Sequence, residues 1–86
     1  MNILNYTKTL EITIYSKTNC PNCVSAKELI KSKGLNYEEH DLSDPEALAK
    51  FCEENPGVRQ MPQIYFNGQR IGGLAGLKAG LGQLGL

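Results

Sequence analysis

Tryptophan is absent, aromatic residues make up 7% of the 86 positions, and cysteine occurs only three times. Neither charge dominates, since nine Lys and Arg balance nine Asp and Glu. A neutral chain lacks the basic face that displaces counterions from nucleic-acid phosphates, and it lacks the polybasic cluster that holds a protein to an anionic membrane. No stretch approaches the roughly 18 apolar residues that a membrane helix needs. The N-terminal residues have neither the basic start nor the apolar core of a secretory signal, so the expected compartment is the cytoplasm. Three cysteines, two of them closely spaced, are a poor basis for a structural disulfide framework.

The length suits one domain, because a second core could not be filled. A chain this small buries only about 60% of its unfolded surface, so each buried aliphatic side chain counts. We expect residues 1–9 to form a flexible polar leader and residues 10–86 to form the single domain. There is no internal repeat, linker or low-complexity segment.

The run Leu10-Glu11-Ile12-Thr13-Ile14-Tyr15 alternates apolar and polar residues and predicts a strand ending near Ser16. A helix is expected from Pro21, because proline at the first helical position sacrifices an N–H that has no intrahelical partner. Cys23, Ala26, Leu29 and Ile30 form its buried stripe, Lys27, Glu28 and Lys31 point outward, and Gly34 stops it. Residues 36–42 read as a polar second strand with Tyr37 as its best core residue. Ser43, Asp44 and Pro45 open a helix to Glu54, with Leu48, Phe51 and Cys52 on its apolar face.

Asn67-Gly68 between Gln63-Ile64-Tyr65-Phe66 and Gln69-Arg70-Ile71 is a strong hairpin signal. From Leu74 onward Leu74, Leu77, Leu81 and Leu84 recur as an apolar stripe. Its glycines each cost a helix about 1 kcal/mol relative to alanine, so this helix must depend on docking to the sheet. The order β-α-β-α-β-β-α predicts an α/β fold, a four-stranded mixed sheet flanked by three helices.

The chemistry concentrates at Cys20-Pro21-Asn22-Cys23. In a reducing compartment such a pair is redox-active or metal-binding before it is structural. A thiol attacks as its thiolate, yet a free cysteine with a pKa of about 8.5 is mostly protonated at neutral pH. A helix start favours the anion through unsatisfied N–H groups and the positive end of the macrodipole. Cys20 sits there, with the amides of Asn22 and Cys23 expected within reach and Lys17 upstream as a further positive charge. Cys20 is therefore the expected nucleophile, and Cys23, one turn inside the helix, the resolving thiol. Cys52 reads as a small buried hydrophobe, His40 as a solvated surface residue, and Tyr15, Tyr37, Tyr65 and Phe66 as sheet packing.

Lys17-x-x-Cys20-Pro21-Asn22-Cys23, then Met61-Pro62-Gln63-Ile64-Tyr65, then Ile71-Gly72-Gly73 resemble, in order and spacing, the dithiol glutaredoxins. The resemblance runs from about Glu11 to Leu84 and implies a thioredoxin-like fold with a glutathione groove beside the cysteines. It implies a cis Met61-Pro62 peptide, with the Met61 N–H and C=O pairing strand-like with the cysteinyl part of glutathione. It also implies that the last helix presents the amides of Leu74, Ala75 and Gly76 after Gly73 to the γ-glutamyl carboxylate. Lys17, Arg59 and Gln60 are the groups expected at the glycyl carboxylate. The family commonly carries an acidic residue near Gly76 to pair with the glutathione amino group, and here the chain departs from it.

The implied activity is glutathione-dependent thiol–disulfide exchange, with glutathione as co-substrate and no tightly bound cofactor or metal. Protein disulfides and glutathione mixed disulfides are the expected substrates of a monomer, and ribonucleotide reductase is a typical client of the family. Two alternatives remain. A thioredoxin-like donor recharged by a reductase would ordinarily carry Trp-Cys-Gly-Pro-Cys, which this chain lacks. An iron–sulfur or metal carrier would need more ligands than one cysteine pair, and His40 and Cys52 do not fall at zinc-site spacing.

Overall fold

The computed structural model describes residues 10–58 and 60–86; the leader expected at residues 1–9 lies outside them. Strand β1 (Ile12–Ser16) alternates buried and half-buried side chains, as a pleated strand with different partners on its two faces must. Helix α1 (Pro21–Ser32) buries Cys23, Ala26 and Ile30, the stripe the sequence predicts. It is followed by Gly34, whose φ of +73° suits a residue without Cβ. Strand β2 (Glu38–Asp41) is exposed along its whole length. It is shorter than the sequence suggests: Tyr37 packs against the core from just before the strand, and Leu42, just after it, is the buried residue.

Helix α2 (Pro45–Glu54) has the expected bounds, with Asp44 as N-cap accepting the Ala47 N–H at 3.1 Å. Strands β3 (Gln63–Phe66) and β4 (Gln69–Gly72) form the hairpin; Asn67 and Gly68 both have positive φ, 51° and 83°, as the tightest hairpin turns require. Helix α3 (Leu74–Gln83) buries Leu77 and Leu81.

The sheet order is β2-β1-β3-β4, with β1 parallel to β2 and antiparallel to β3, and β3 antiparallel to β4. Ile12, Ile14 and Ile64 face α1 and α3, where Ala26, Ile30, Leu77 and Leu81 complete the larger core. The opposite face is aromatic. Tyr15 lies 4.5 Å from the Phe51 ring of α2 and 5.5 Å from Tyr65, and His40 stacks on it at 4.9 Å. His40 is thus more than a solvated residue: it also meets Glu38 Oε2 at 2.6 Å. Desolvation in this cluster, followed by the nearby Tyr65, Glu38 and Glu54, raises the Tyr15 pKa. Cys52 is half-buried on α2, less enclosed than a core cysteine.

One polar link ties the second strand to the rest. The buried Ser16 hydroxyl donates to Glu39 Oε2 at 2.6 Å, and the Lys27 ammonium donates to the same oxygen at 2.9 Å. Chiefly the Ser16 bond, then the Lys27 bond, hold the Glu39 carboxyl below its ordinary value of 4.5, against the effect of burial. A depressed carboxyl pKa means that the unfolded chain binds the proton more readily than the folded one. The contribution is therefore complete above the ordinary value and is lost as pH falls through the lower, folded one. The urea midpoint should drop on acidification from about pH 6 to about pH 3, and the drop should be smaller in Glu39→Gln. Equal drops in both proteins would exclude this pair.

Candidate functional site

Pro21 at the first position of α1 leaves Cys20 as its N-cap, in extended conformation with φ −124° and ψ 95°. That conformation turns the Cys20 side chain back over the helix start, so its Sγ accepts the Cys23 N–H at 3.2 Å. Of the two amides expected there, Cys23's is the one that reaches the sulfur. Cys20 and Cys23 are joined as a disulfide with a Cα separation of 5.2 Å, within the range of about 4.4–6.8 Å that this bond accepts.

The two sulfurs are unequally placed. Cys23 is 1% exposed and Cys20 8%, so Cys20 is the more accessible of the two sulfurs. Asn19 just before it has φ +57°, a conformation that asparagine tolerates better than most residues. It brings the chain from Lys17 round to the helix start.

The opposing wall comes from the segment before β3. The Met61-Pro62 peptide is cis, and the Met61 carbonyl oxygen lies 3.5 Å from Cys20 Sγ. A thiol S–H at Cys20 can donate to that oxygen; a disulfide sulfur has no proton to give. A groove of about 420 Å³ runs between the walls, lined by Lys17, Asn19, Cys20, Pro21, Asn22, Gln60 and Met61. On the other side of the cysteines lies a second groove of about 510 Å³, where Val24 and Lys27 join Lys17, Asn19, Cys20, Pro21 and Cys23.

Gly73 stands behind Pro62: a Cβ there would lie 3.4 Å from the Pro62 carbonyl oxygen. That contact brings the start of α3 beside the Met61-Pro62 turn, with Ala75 exposed and Leu74 half-buried. Six of the residues singled out in the sequence, Lys17, Cys20, Pro21, Asn22, Gln60 and Met61, thus share one groove, and Pro62 and Gly73 adjoin it. Arg59 lies outside the described residues.

The glutaredoxin family model matches residues 12–71. The chain belongs to the glutaredoxin family. It is 38% identical to a probable glutaredoxin of Synechocystis over 64 residues, 73% of each chain. It is 34% identical to glutaredoxin 1 of Rickettsia conorii over 64 residues, 72% of this chain and 63% of that protein's length. The crystal structure of glutaredoxin 1 from Francisella tularensis complexed with cacodylate superposes with a TM-score of 0.79 at 28% identity, covering 88% of this chain and 96% of that one. The thioredoxin-like glutaredoxin fold implied by the sequence motifs is the fold observed.

Three residues of this glutaredoxin site escaped the sequence reading: Asn19, Val24 and Lys27, all lining the second groove. Val24 carries a signal in retrospect. It falls off the Cys23, Ala26, Ile30 stripe of α1 and is 51% exposed, an apolar side chain placed in solvent beside a reactive pair.

Proposed function

We propose that the chain is a thiol–disulfide oxidoreductase that draws its electrons from glutathione. The observation that carries this reading is the position of Cys20 Sγ: it caps α1, accepts the Cys23 N–H at 3.2 Å, and lies 3.5 Å from the Met61 carbonyl across an open groove. In the reduced protein the same N–H and the helix dipole favour a thiolate at Cys20.

The Cys20 thiolate attacks the glutathione sulfur of a mixed disulfide. A Cys20–glutathione disulfide forms, and the client leaves as a thiolate that takes a proton from water. A second glutathione thiolate then attacks the glutathione sulfur bound to Cys20, releasing oxidised glutathione and the Cys20 thiolate. For a protein disulfide, Cys20 attacks one sulfur of the client and Cys23 resolves the resulting mixed disulfide. The product is the reduced client and the Cys20–Cys23 disulfide.

In this reading Met61 N–H and C=O pair with the cysteinyl unit. Lys17, Gln60 and Arg59 serve the glycyl carboxylate, and the amides at Leu74 and Ala75 beyond Gly73 serve the γ-glutamyl carboxylate. Pro21, Asn22 and Pro62 shape the groove between them. Residues 10–86 act as one domain, a cytoplasmic monomer whose clients are disulfide-containing proteins and whose co-substrate is glutathione, with no tightly bound cofactor.

The test supplies the protein with a small mixed disulfide and either glutathione with its reductase or a thioredoxin reductase with NADPH. Turnover with glutathione alone is expected. Turnover driven by thioredoxin reductase without glutathione would overturn the reading.

A further inference from the structure

Glutathione carries a carboxylate at each end and an ammonium beside the γ-glutamyl one. Both grooves flanking the disulfide are lined by lysines, Lys17 in each and Lys27 in one, with no Asp or Glu among their lining residues. The segment that builds the opposing wall and α3 has the same bias: residues 55–86 contain Arg59, Arg70 and Lys78 and not one acidic residue. The first turn of α3 contains none either.

Gly76 is closed to any side chain. A Cβ there would lie 1.9 Å from the Ile71 carbonyl oxygen and 2.9 Å from its carbon, so the tight approach of α3 to the end of β4 removes that position as a place for a carboxylate. The carboxylates of β2 and of the turn into α2 are already engaged. Glu39 accepts from Ser16 and Lys27, Asp41 from the Ser43 N–H and hydroxyl at 2.8 and 2.5 Å, and Asp44 from the Ala47 N–H. Asp41 is held below the usual carboxylate range by those Ser43 bonds, which leaves it a satisfied anion.

We infer that this site does not read the ammonium of glutathione and accepts thiols and mixed disulfides that keep the two carboxylates and lack the amino group. The inference rests on the glutathione reading and narrows its substrate class. The exchange step is unaffected by the loss of the amino group, because the bonds that form and break are between sulfurs. What changes is selectivity: with no carboxylate lining either groove, removing the ammonium from the ligand costs nothing in pairing.

The probes are mixed disulfides of one cysteine peptide with glutathione and with glutaryl-cysteinyl-glycine, which replaces the amino group by hydrogen; the matching thiol serves as reductant in each case. For the full chain the two kcat/KM values should agree within about threefold, since an exposed ion pair that is absent cannot be lost. Ala75→Asp should then favour glutathione by about two- to fivefold, the worth of one exposed ion pair. That substitution lies at an exposed position in the first turn of a helix, where an acidic side chain is favoured. A loss of tenfold or more on the amino-free substrate in the unaltered chain would overturn the inference and leave the glutathione reading standing. An Ala75→Asp chain no more selective than its parent would also overturn it. Failure on both substrates would overturn the two together.

Discussion

Cys20→Ser should abolish the proposed glutathione-dependent reduction of a small mixed disulfide, by at least about a thousandfold, while Cys23→Ser should retain most of it. The asymmetry follows from position. Cys20 caps the helix and faces the groove, and a serine hydroxyl in its place is not ionised at neutral pH. Cys23 is 1% exposed and cannot meet a substrate. Its essential contribution to the attacking sulfur is a backbone N–H at 3.2 Å, which serine supplies equally well. Against a protein disulfide the result changes: without Cys23 the covalent intermediate has no internal resolving thiol and must wait for glutathione. Rates on both substrate types for the two variants check this, and equal losses on the small substrate would reverse or erase the assignment of attacker and resolver.

The second large effect is structural. Gly76→Ala should destabilise the protein by about 2–3 kcal/mol, because the new methyl meets backbone and the helix or the strand has to move. For a domain of this size that is a fall of roughly 10–20 °C in Tm. Gly82→Ala is the control. It sits in the same helix with nothing within 4 Å of the added Cβ, so removing a glycine there should stabilise by about 0.5–1 kcal/mol. Gly80→Ala should fall between them, since its Cβ would come to 3.0 Å from the Phe66 ring edge, a side chain that can shift. Calorimetry on the three variants tests the order, and a stabilised Gly76→Ala would refute the close approach.

These glycines mark the limit of what the sequence carries. Read along the chain, each is a cost to a helix, and the stripe Leu74, Leu77, Leu81, Leu84 says only that the helix docks. Which glycine is a contact and which is spare depends on the path of Ile71, and that is set by the pairing of β4 with β3. Features encoded over a few residues were legible. Cys20-Pro21 marked a helix start, Asp44-Pro45 another, and Asn67-Gly68 a hairpin, because each is a local backbone constraint with one economical solution.

The polar second strand was legible in place and not in its burial. Tyr37 and Leu42 pack from either side of it, while the strand itself is exposed and reaches back through His40, which stacks on Tyr15, and Glu39, which accepts from Ser16 and Lys27. The cysteine motif pointed to its chemistry unaided, whereas the convergence of Lys17 with Gln60 and Met61 on one groove required the order of motifs shared with the glutaredoxins. Asn19, Val24 and Lys27 belong to a groove that exists only once the loop and helix are in place, so no local pattern announced them.

Among the described residues a sheet ordered β2-β1-β3-β4 ends in two open edges, and the exposed sequence Glu38-Glu39-His40-Asp41 occupies one of them. A row of unpaired backbone N–H and C=O groups is a template for another chain's strand. Here a copy adding itself antiparallel over the same four residues would set Glu38 opposite Asp41 at each end, like charges whose close approach is unfavourable. At the other edge Arg70 is exposed and the pairing slips between Ile64 and Tyr65, an irregularity that spoils a flat template. The strand that contributes least to the core thus guards against aggregation, and because its guard is carboxylate charge, that protection is strongest at neutral pH and fades in acid.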